Sequence, residues 1–248
     1  MTDEKDLAKM SGEDNIMGAP RWELPIVRLQ GKDGVFQKIA KDKEPEDLAE
    51  TIKGVSLNFR RTLTRFVSDK GKLKESYFTS EHSSSNDEIT VFVRNKDGEV
   101  SVVDNGNASK MKEKHSLKMV QIIYFFMGDE IVKLNVKGSS LSALYEFRPE
   151  VRKLEKHFHE LLLEVGMIKQ KSELGDYFTM EFTIGKDLTD KEKKQVAGKI
   201  TEVSDKIEEI DSYYRNSKEP GEEIEEAIKK EGAGLEEEEE IDPAKIPF

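Results

Sequence analysis

The sequence predicts an α+β protein that is mainly β: a small five-stranded barrel, a helical extension behind it and an acidic tail. Three observations carry that expectation. Short runs of alternating apolar and polar residues, separated by turn-rich stretches, fill residues 21–148. Past Gly138 the apolar spacing becomes helical. From Pro220 and Gly221 onward glutamate dominates.

Of 248 residues, 35% are hydrophobic and 37% charged, too polar for the whole length to pack as core. Four segments follow: a disordered arm over 1–20, the barrel over 21–148, a helix/strand extension over 149–218 and a disordered tail over 219–248. Cysteine is absent, which excludes disulfides, thiolate nucleophiles and zinc–cysteine sites and suits a reducing compartment. No apolar run approaches the roughly 20 residues that span a bilayer. The opening "MTDEKDLAKMSGEDNIMGAP" has no hydrophobic stretch of the signal-peptide kind. A cytoplasmic location is expected, or the host cytoplasm for a viral protein.

The net charge of −11 is unevenly spread. Residues 219–248 carry 12 acidic and 3 basic side chains, a net of −9, and residues 1–20 carry 5 and 2, a net of −3. Residues 21–148 hold 22 basic and 19 acidic groups, a net of +3, and residues 149–218 hold 13 and 15, a net of −2. A mildly basic body with an acidic tail points toward nucleic acid or regulated electrostatics.

In chain order, "WELPIVRLQ" and "VFQKIA" read as strands around the turn "GKDG". "EPEDLAETI" reads as a short helix. "KGVSLNFRRTLTRFV" is a long strand with Val55, Leu57 and Phe59 on one face and a bulge or bend expected past Arg60 and Arg61. The polar "SDKGKLKESYFTSEHSSSND" reads as a loop. "EITVFVR" and "EVSVV" form the next strands, and "DNGNASKMKEKHS" another connection. "LKMVQIIYFFM", apolar on both faces, is a central strand, and "IVKLNVK" places Val132, Leu134 and Val136 inward. Then "SSLSALYEF" and "RPEVRKLEKHFHELLLEVG" read as helices and "DYFTMEFTI" as a strand. The clearest element is an amphipathic helix over 190–215. Thr189 and Glu192 form a capping box, and Val196, Ile200, Val203, Ile207, Ile210 and Tyr214 make one apolar seam.

No constellation announces catalysis. "GKIT" at 198–201 imitates the end of a phosphate-binding loop, but Lys193 stands where that motif needs glycine. His157 and His159, read as helical, do not share a face, and His82 and His115 lie apart in polar segments. No catalytic residue, metal ligand or cofactor site is assigned. The chain is expected not to be an enzyme.

Cations and aromatics interleave on the β-elements. Arg28, Arg60, Arg61, Arg65, Phe66, Tyr77, Phe78, Phe92, Arg94, Lys112, Lys133 and Lys137 together offer charges for phosphates and faces for unstacked bases. This is the mixture that single-stranded DNA requires. The ending "EEEEEIDPAKIPF" adds a different feature. Ile246, Pro247 and Phe248 have no core to join there, and with a terminal carboxylate they would suit a pocket with a basic rim and an apolar floor.

That ending resembles the bacterial single-stranded DNA-binding proteins, whose acidic stretch closes on Asp-x-x-Ile-Pro-Phe or nearly so. Here Asp242 is followed by Pro243, Ala244 and Lys245, then Ile246, Pro247 and Phe248, and glutamates 236–240 match the acidic approach. The match covers about 13 residues, and the body differs in length and opening residues, as a diverged or viral member would. The resemblance implies an oligonucleotide-binding (OB-fold) barrel that coats and protects single-stranded DNA. It also implies a tip, with Asp242, Ile246, Pro247 and Phe248 as its contacts, that recruits helicases, nucleases, and primase or polymerase components in DNA replication, recombination and repair. Self-association through the long helix is a further expectation. The alternatives are a non-catalytic protein-interaction adaptor with a β-barrel body and a metal-dependent nuclease with dispersed carboxylates.

Overall fold

The computed structural model describes residues 23–41, 43–69, 72–96, 100–173 and 175–216. The first hairpin is β1 (Ile26–Gln30) and β2 (Val35–Ile39), followed by the two-residue β3 (Glu46–Asp47). Next come β4 (Ile52–Asp69), β5 (Lys72–Thr79), β6 (Glu88–Asn95) and β7 (Val100–Asn107). Helix α1 (Ala108–Lys114) leads into β8 (Lys118–Met127) and β9 (Glu130–Val136). Helix α2 (Ser139–Lys153) and a 3₁₀ turn (Phe158–Glu160) precede the hairpin of β10 (Leu161–Ser172) and β11 (Gly175–Asp187). Helix α3 (Asp190–Asn216) ends the described chain.

These strands make one mixed sheet of eleven, with the path β3-β2-β1-β9-β8-β4-β5-β6-β7. Only β1 and β9 run parallel, and β10, with β11 beyond it, pairs with the start of β4 at Ile52–Gly54. The ends of the path, β3 and β7, do not pair with each other, so the sheet stays open. This overturns the expected five-stranded, OB-fold-type barrel. Closure requires the first and last strands of a path to hydrogen-bond, and here they terminate separately.

Three misreadings produced the barrel. The stretch taken as a polar loop contains β5, which pairs with β4 and β6 along its length. The "HELLLEVG" portion taken as helix is β10, where Leu161, Leu163 and Val165 alternate inward at strand period. The stretch "EPEDLAETI" is extended, with β3 at its centre. An irregularity past Arg61, as expected, lies between Val67 and Ser68, and a further one lies earlier, between Ser56 and Asn58. The shift between Ser56 and Asn58 places Leu57 and Arg60 on the same face of β4, although an unbroken strand would separate them.

Each face of the central sheet is sealed by one helix. On the first, Ile123, Phe125, Val132 and Leu134 pack with Leu144, Phe147 and Val151 of α2, and Leu161, Leu163, Met180 and Phe182 of the β10–β11 hairpin join them. On the second, Val55, Leu57, Ile122, Tyr124 and Ile131 pack with Val196 and Val203 of the α3 seam. Burying such side chains supplies about 1.5–3 kcal/mol each. A third cluster, of Leu63, Ile89 and Val91 with Ala108 and Met111, seats α1 on the β4–β5–β6–β7 wing. Gly54 lets β4 pass close to β8: a Cβ there would lie 2.4 Å from the Phe126 carbonyl oxygen.

Candidate functional site: a cationic cleft with an aromatic floor

The expected DNA-contacting residues do not converge on one groove. Arg28 is half-buried in β1 between Gln37 and Asn135 on the neighbouring strands. Arg61 joins the loop before β6 through backbone bonds with His82, and Lys112 and Lys137 are exposed on α1 and beyond the end of β9. On the wing, Arg65 lies 5.7 Å from the Tyr77 ring and donates to the His115 carbonyl, on the α1 face. Phe66, Phe78, Phe92 and Arg94 take the opposite face by register. Of these Phe66 is 45% exposed, while Phe92 is buried against Phe78, whose other neighbour is the Arg94 guanidinium at 5.4 Å. Asp242, Ile246, Pro247 and Phe248 lie outside the described residues.

Arg60 and Lys133 belong to a half-buried charge network beneath α3. Arg60 donates to Ser83 Oγ at 2.6 Å, to the Glu81 carbonyl at 2.8 Å and to Asp211 Oδ1 at 2.6 Å. Lys133 Nζ and Tyr124 Oη each donate to the Glu81 carboxylate at 2.8 Å. Burial pushes the Glu81 carboxyl upward, but Lys133, Tyr124 and Arg60 more than reverse that and leave its pKa below the usual value. Burial, and then Glu81, raise the Tyr124 hydroxyl, which stays protonated. The Arg60–Asp211 pair fastens α3 to the sheet, while Arg60 Nε is buried without a hydrogen-bond partner.

A separate group of cations gathers on the other face. Phe59, Arg148, Val151, Arg152, Lys156, His157 and Phe158 line a cleft of about 310 Å³. Helix α2 supplies three of them. It runs through Pro149 in its interior, and Arg148 and Arg152 stand one turn apart on its surface. The Arg148 guanidinium lies 5.1 Å from both the Phe59 and Tyr145 rings and donates to Gln121 Oε1 at 3.2 Å. Gln121 is 1% exposed and its Nε2 donates to the Arg60 carbonyl at 2.5 Å, which fixes the acceptor that holds Arg148. Burial lowers the Arg148 pKa, yet a guanidinium remains charged. The floor is aromatic: Phe158 meets Phe59 edge-on at 5.0 Å and Phe147 at 5.9 Å, and Phe147 stacks on Phe182 at 6.0 Å.

The segment between α2 and β10 completes the cleft. Lys156 pairs with Asp187, the carboxylate at the end of β11. The His157 backbone N–H donates to Glu160 Oε2 at 2.7 Å, a bond that is the leading cause of that carboxylate's lowered pKa. His157 and His159 were expected on a helix, where they would diverge. They lie instead in an extended lead-in and a 3₁₀ turn, and their rings stack at 5.3 Å with a 4° interplanar angle. Among the described residues no three His, Cys, Asp or Glu side chains group as metal ligands. The cleft's chemistry is that of holding: guanidinium, ammonium and imidazole groups for an anion, and ring faces for an apolar or aromatic side chain.

Sequence reading missed this site, although a signal was present. Arg148, Arg152 and Lys156 recur every four residues, a basic stripe next to "HFH". Phe59 comes from β4, and no sequence spacing links it to that stripe.

Comparison with protein-family models, with curated proteins and with solved structures finds no match to this chain. The likeness to single-stranded DNA-binding proteins is therefore confined to the tip and is contradicted by the body. The expected coating of single-stranded DNA required an OB-fold barrel. The open sheet removes that basis, and the cations and aromatics that were to line the groove are scattered over both faces of the wing, the network under α3 and separate positions on β1, α1 and the end of β9.

Proposed function

We propose that the chain is a non-catalytic adaptor whose cationic cleft captures an acidic peptide segment ending in apolar or aromatic side chains. One observation carries the reading. Arg148 is held between two aromatic rings, beside Arg152, Lys156 and His157, over a floor of Phe59 and Phe158. A guanidinium already stacked and hydrogen-bonded loses little freedom when it accepts a carboxylate, so its interaction is favoured over that of a mobile surface cation. The cleft volume, at the low end of the roughly 300–1,000 Å³ of ligand sites, suits a side chain or two rather than a large cofactor. As the second arm of an adaptor, the segment around Asp242, Ile246, Pro247 and Phe248 is a ligand for pockets on partner proteins, DNA-processing enzymes among them.

Fluorescence anisotropy of a labelled peptide, five glutamates followed by an Ile-Pro-Phe end, titrated with the full chain, tests the cleft. Saturable binding that weakens about tenfold in Arg152→Glu is the expected result. Equal binding by wild type and Arg152→Glu removes the cleft from the account.

A further inference from the structure

We infer that the cleft's resident ligand is the chain's own segment 236–248, docked intramolecularly with glutamates 236–240 against the cations and Ile246–Phe248 on the aromatic floor. The inference rests on the adaptor reading above and gives its cleft one occupant.

Charge is the first ground. The seven lining residues include Arg148, Arg152, Lys156 and His157 and no acidic one, and the two carboxylates that meet them are each engaged, Asp187 with Lys156 and Glu160 with the His157 backbone N–H. Residues 219–248 carry 12 acidic and 3 basic groups, with five consecutive glutamates directly before the apolar tip. The order of chemistry also fits. Cations of α2 flank the opening, and the half-buried Phe59 and Phe158 offer carbon surface beside them. An acidic run followed within a few residues by Ile, Pro and Phe presents the complementary order.

Reach is the third ground. Leu57, His159 and Glu160 form one groove with Lys193, Val196, Ala197 and Ile200, so the early part of α3 lies beside the 3₁₀ turn that bounds the cleft. From Val196 to Asn216 the helix rises about 30 Å. The 29 residues from 217 to 245 have a contour of about 95 Å at roughly 3.3 Å each, several times that span. A tethered ligand of this length meets its site at an effective concentration on the order of millimolar, far above a free competitor at micromolar levels. The docked segment would shield both arms of the adaptor until a stronger acidic peptide displaces it or a partner binds the tip.

The absence of cysteine makes the test direct. A donor and an acceptor dye are placed on the full chain through Glu146→Cys, on the exposed part of α2, and Ala244→Cys. The expected result is high transfer efficiency that falls about twofold or more in Arg152→Glu or His157→Glu, both exposed positions whose change leaves the core intact, and on adding excess unlabelled 236–248 peptide. Transfer indifferent to both variants overturns the inference. If the labelled peptide still binds the cleft in those conditions, the adaptor reading stands without it; if the peptide also fails to bind, both fall. Transfer seen only between singly labelled chains in a mixture likewise overturns intramolecular docking.

Discussion

The two faces of the central sheet treat charge in opposite ways. Beneath α3, Arg60, Glu81, Tyr124, Lys133 and Asp211 form a set in which each cation has a carboxylate within 2.8 Å. Beside α2, Arg148, Arg152, Lys156 and His157 gather over an aromatic floor with two engaged carboxylates, Asp187 and Glu160. Gln121 touches both: its amide N–H₂ binds the Arg60 carbonyl and its oxygen accepts from Arg148. The contrast separates fastening from binding. A half-buried set in which each cation already holds a carboxylate is costly to disturb and offers a ligand little charge, whereas the α2 cluster has cations to spare.

The largest effect expected is therefore on stability, at the α3 network. Glu81→Ala strands the half-buried Lys133 and weakens the hold on Tyr124, and urea unfolding should show a loss of about 2–3 kcal/mol. A loss below about 1 kcal/mol would mean that the network is solvated and that the faces do not differ in kind. Second, Arg148→Met keeps most of the volume between Phe59 and Tyr145 but removes the cation. Peptide affinity should fall by tenfold or more, about 1.4 kcal/mol or above, with the urea midpoint changed much less than by Glu81→Ala.

Acid separates a third pair of environments. Lys114 and then His115 hold the Asp104 carboxyl down at about 2, from an ordinary value near 3.8. The folded state thus gains stability from Asp104 at pH above about 3.8, and that gain disappears as pH falls through about 2. Asp104→Asn should flatten this part of the stability–pH curve and loosen α1 from β7, read by amide exchange in residues 104–117. The smallest effect belongs to the start of α3, where the Glu192 N–H donates to Thr189 Oγ1 at 3.3 Å and the Thr189 N–H to Glu192 at 2.7 Å. Thr189→Ala should cost about 1 kcal/mol and fray the first turn without altering either charge cluster.

Legibility in the sequence followed periodicity. The seam of α3 and its capping box were plain because a 27-residue helix repeats its signal many times. The strands β8 and β9 were equally readable from "MVQIIYFFM" and the alternation of Val132, Leu134 and Val136. The β10 strand was misread because "ELLLEVG" has apolar residues on helix and strand periods alike, and its neighbour "EVRKLEKHF" is helical in composition. The strand β5 was missed because Lys72, Lys74, Glu75 and Ser76 occupy a short wing strand whose stability comes from cross-strand partners. Those two strands decide whether the sheet closes. The site was hidden for a related reason: Phe59 reaches Arg148 across 89 positions, a meeting set by the packing of α2 on the sheet.

Amide chemical-shift mapping of the full chain with the acidic, Ile-Pro-Phe-ended peptide tests the central claim most directly. Shifts concentrated at Phe59, Arg148, Val151, Arg152 and residues 156–158 are the predicted result. Shifts centred instead on Arg65, Phe66, Tyr77 and Phe78 of the wing, with the α2 cleft silent, would contradict it.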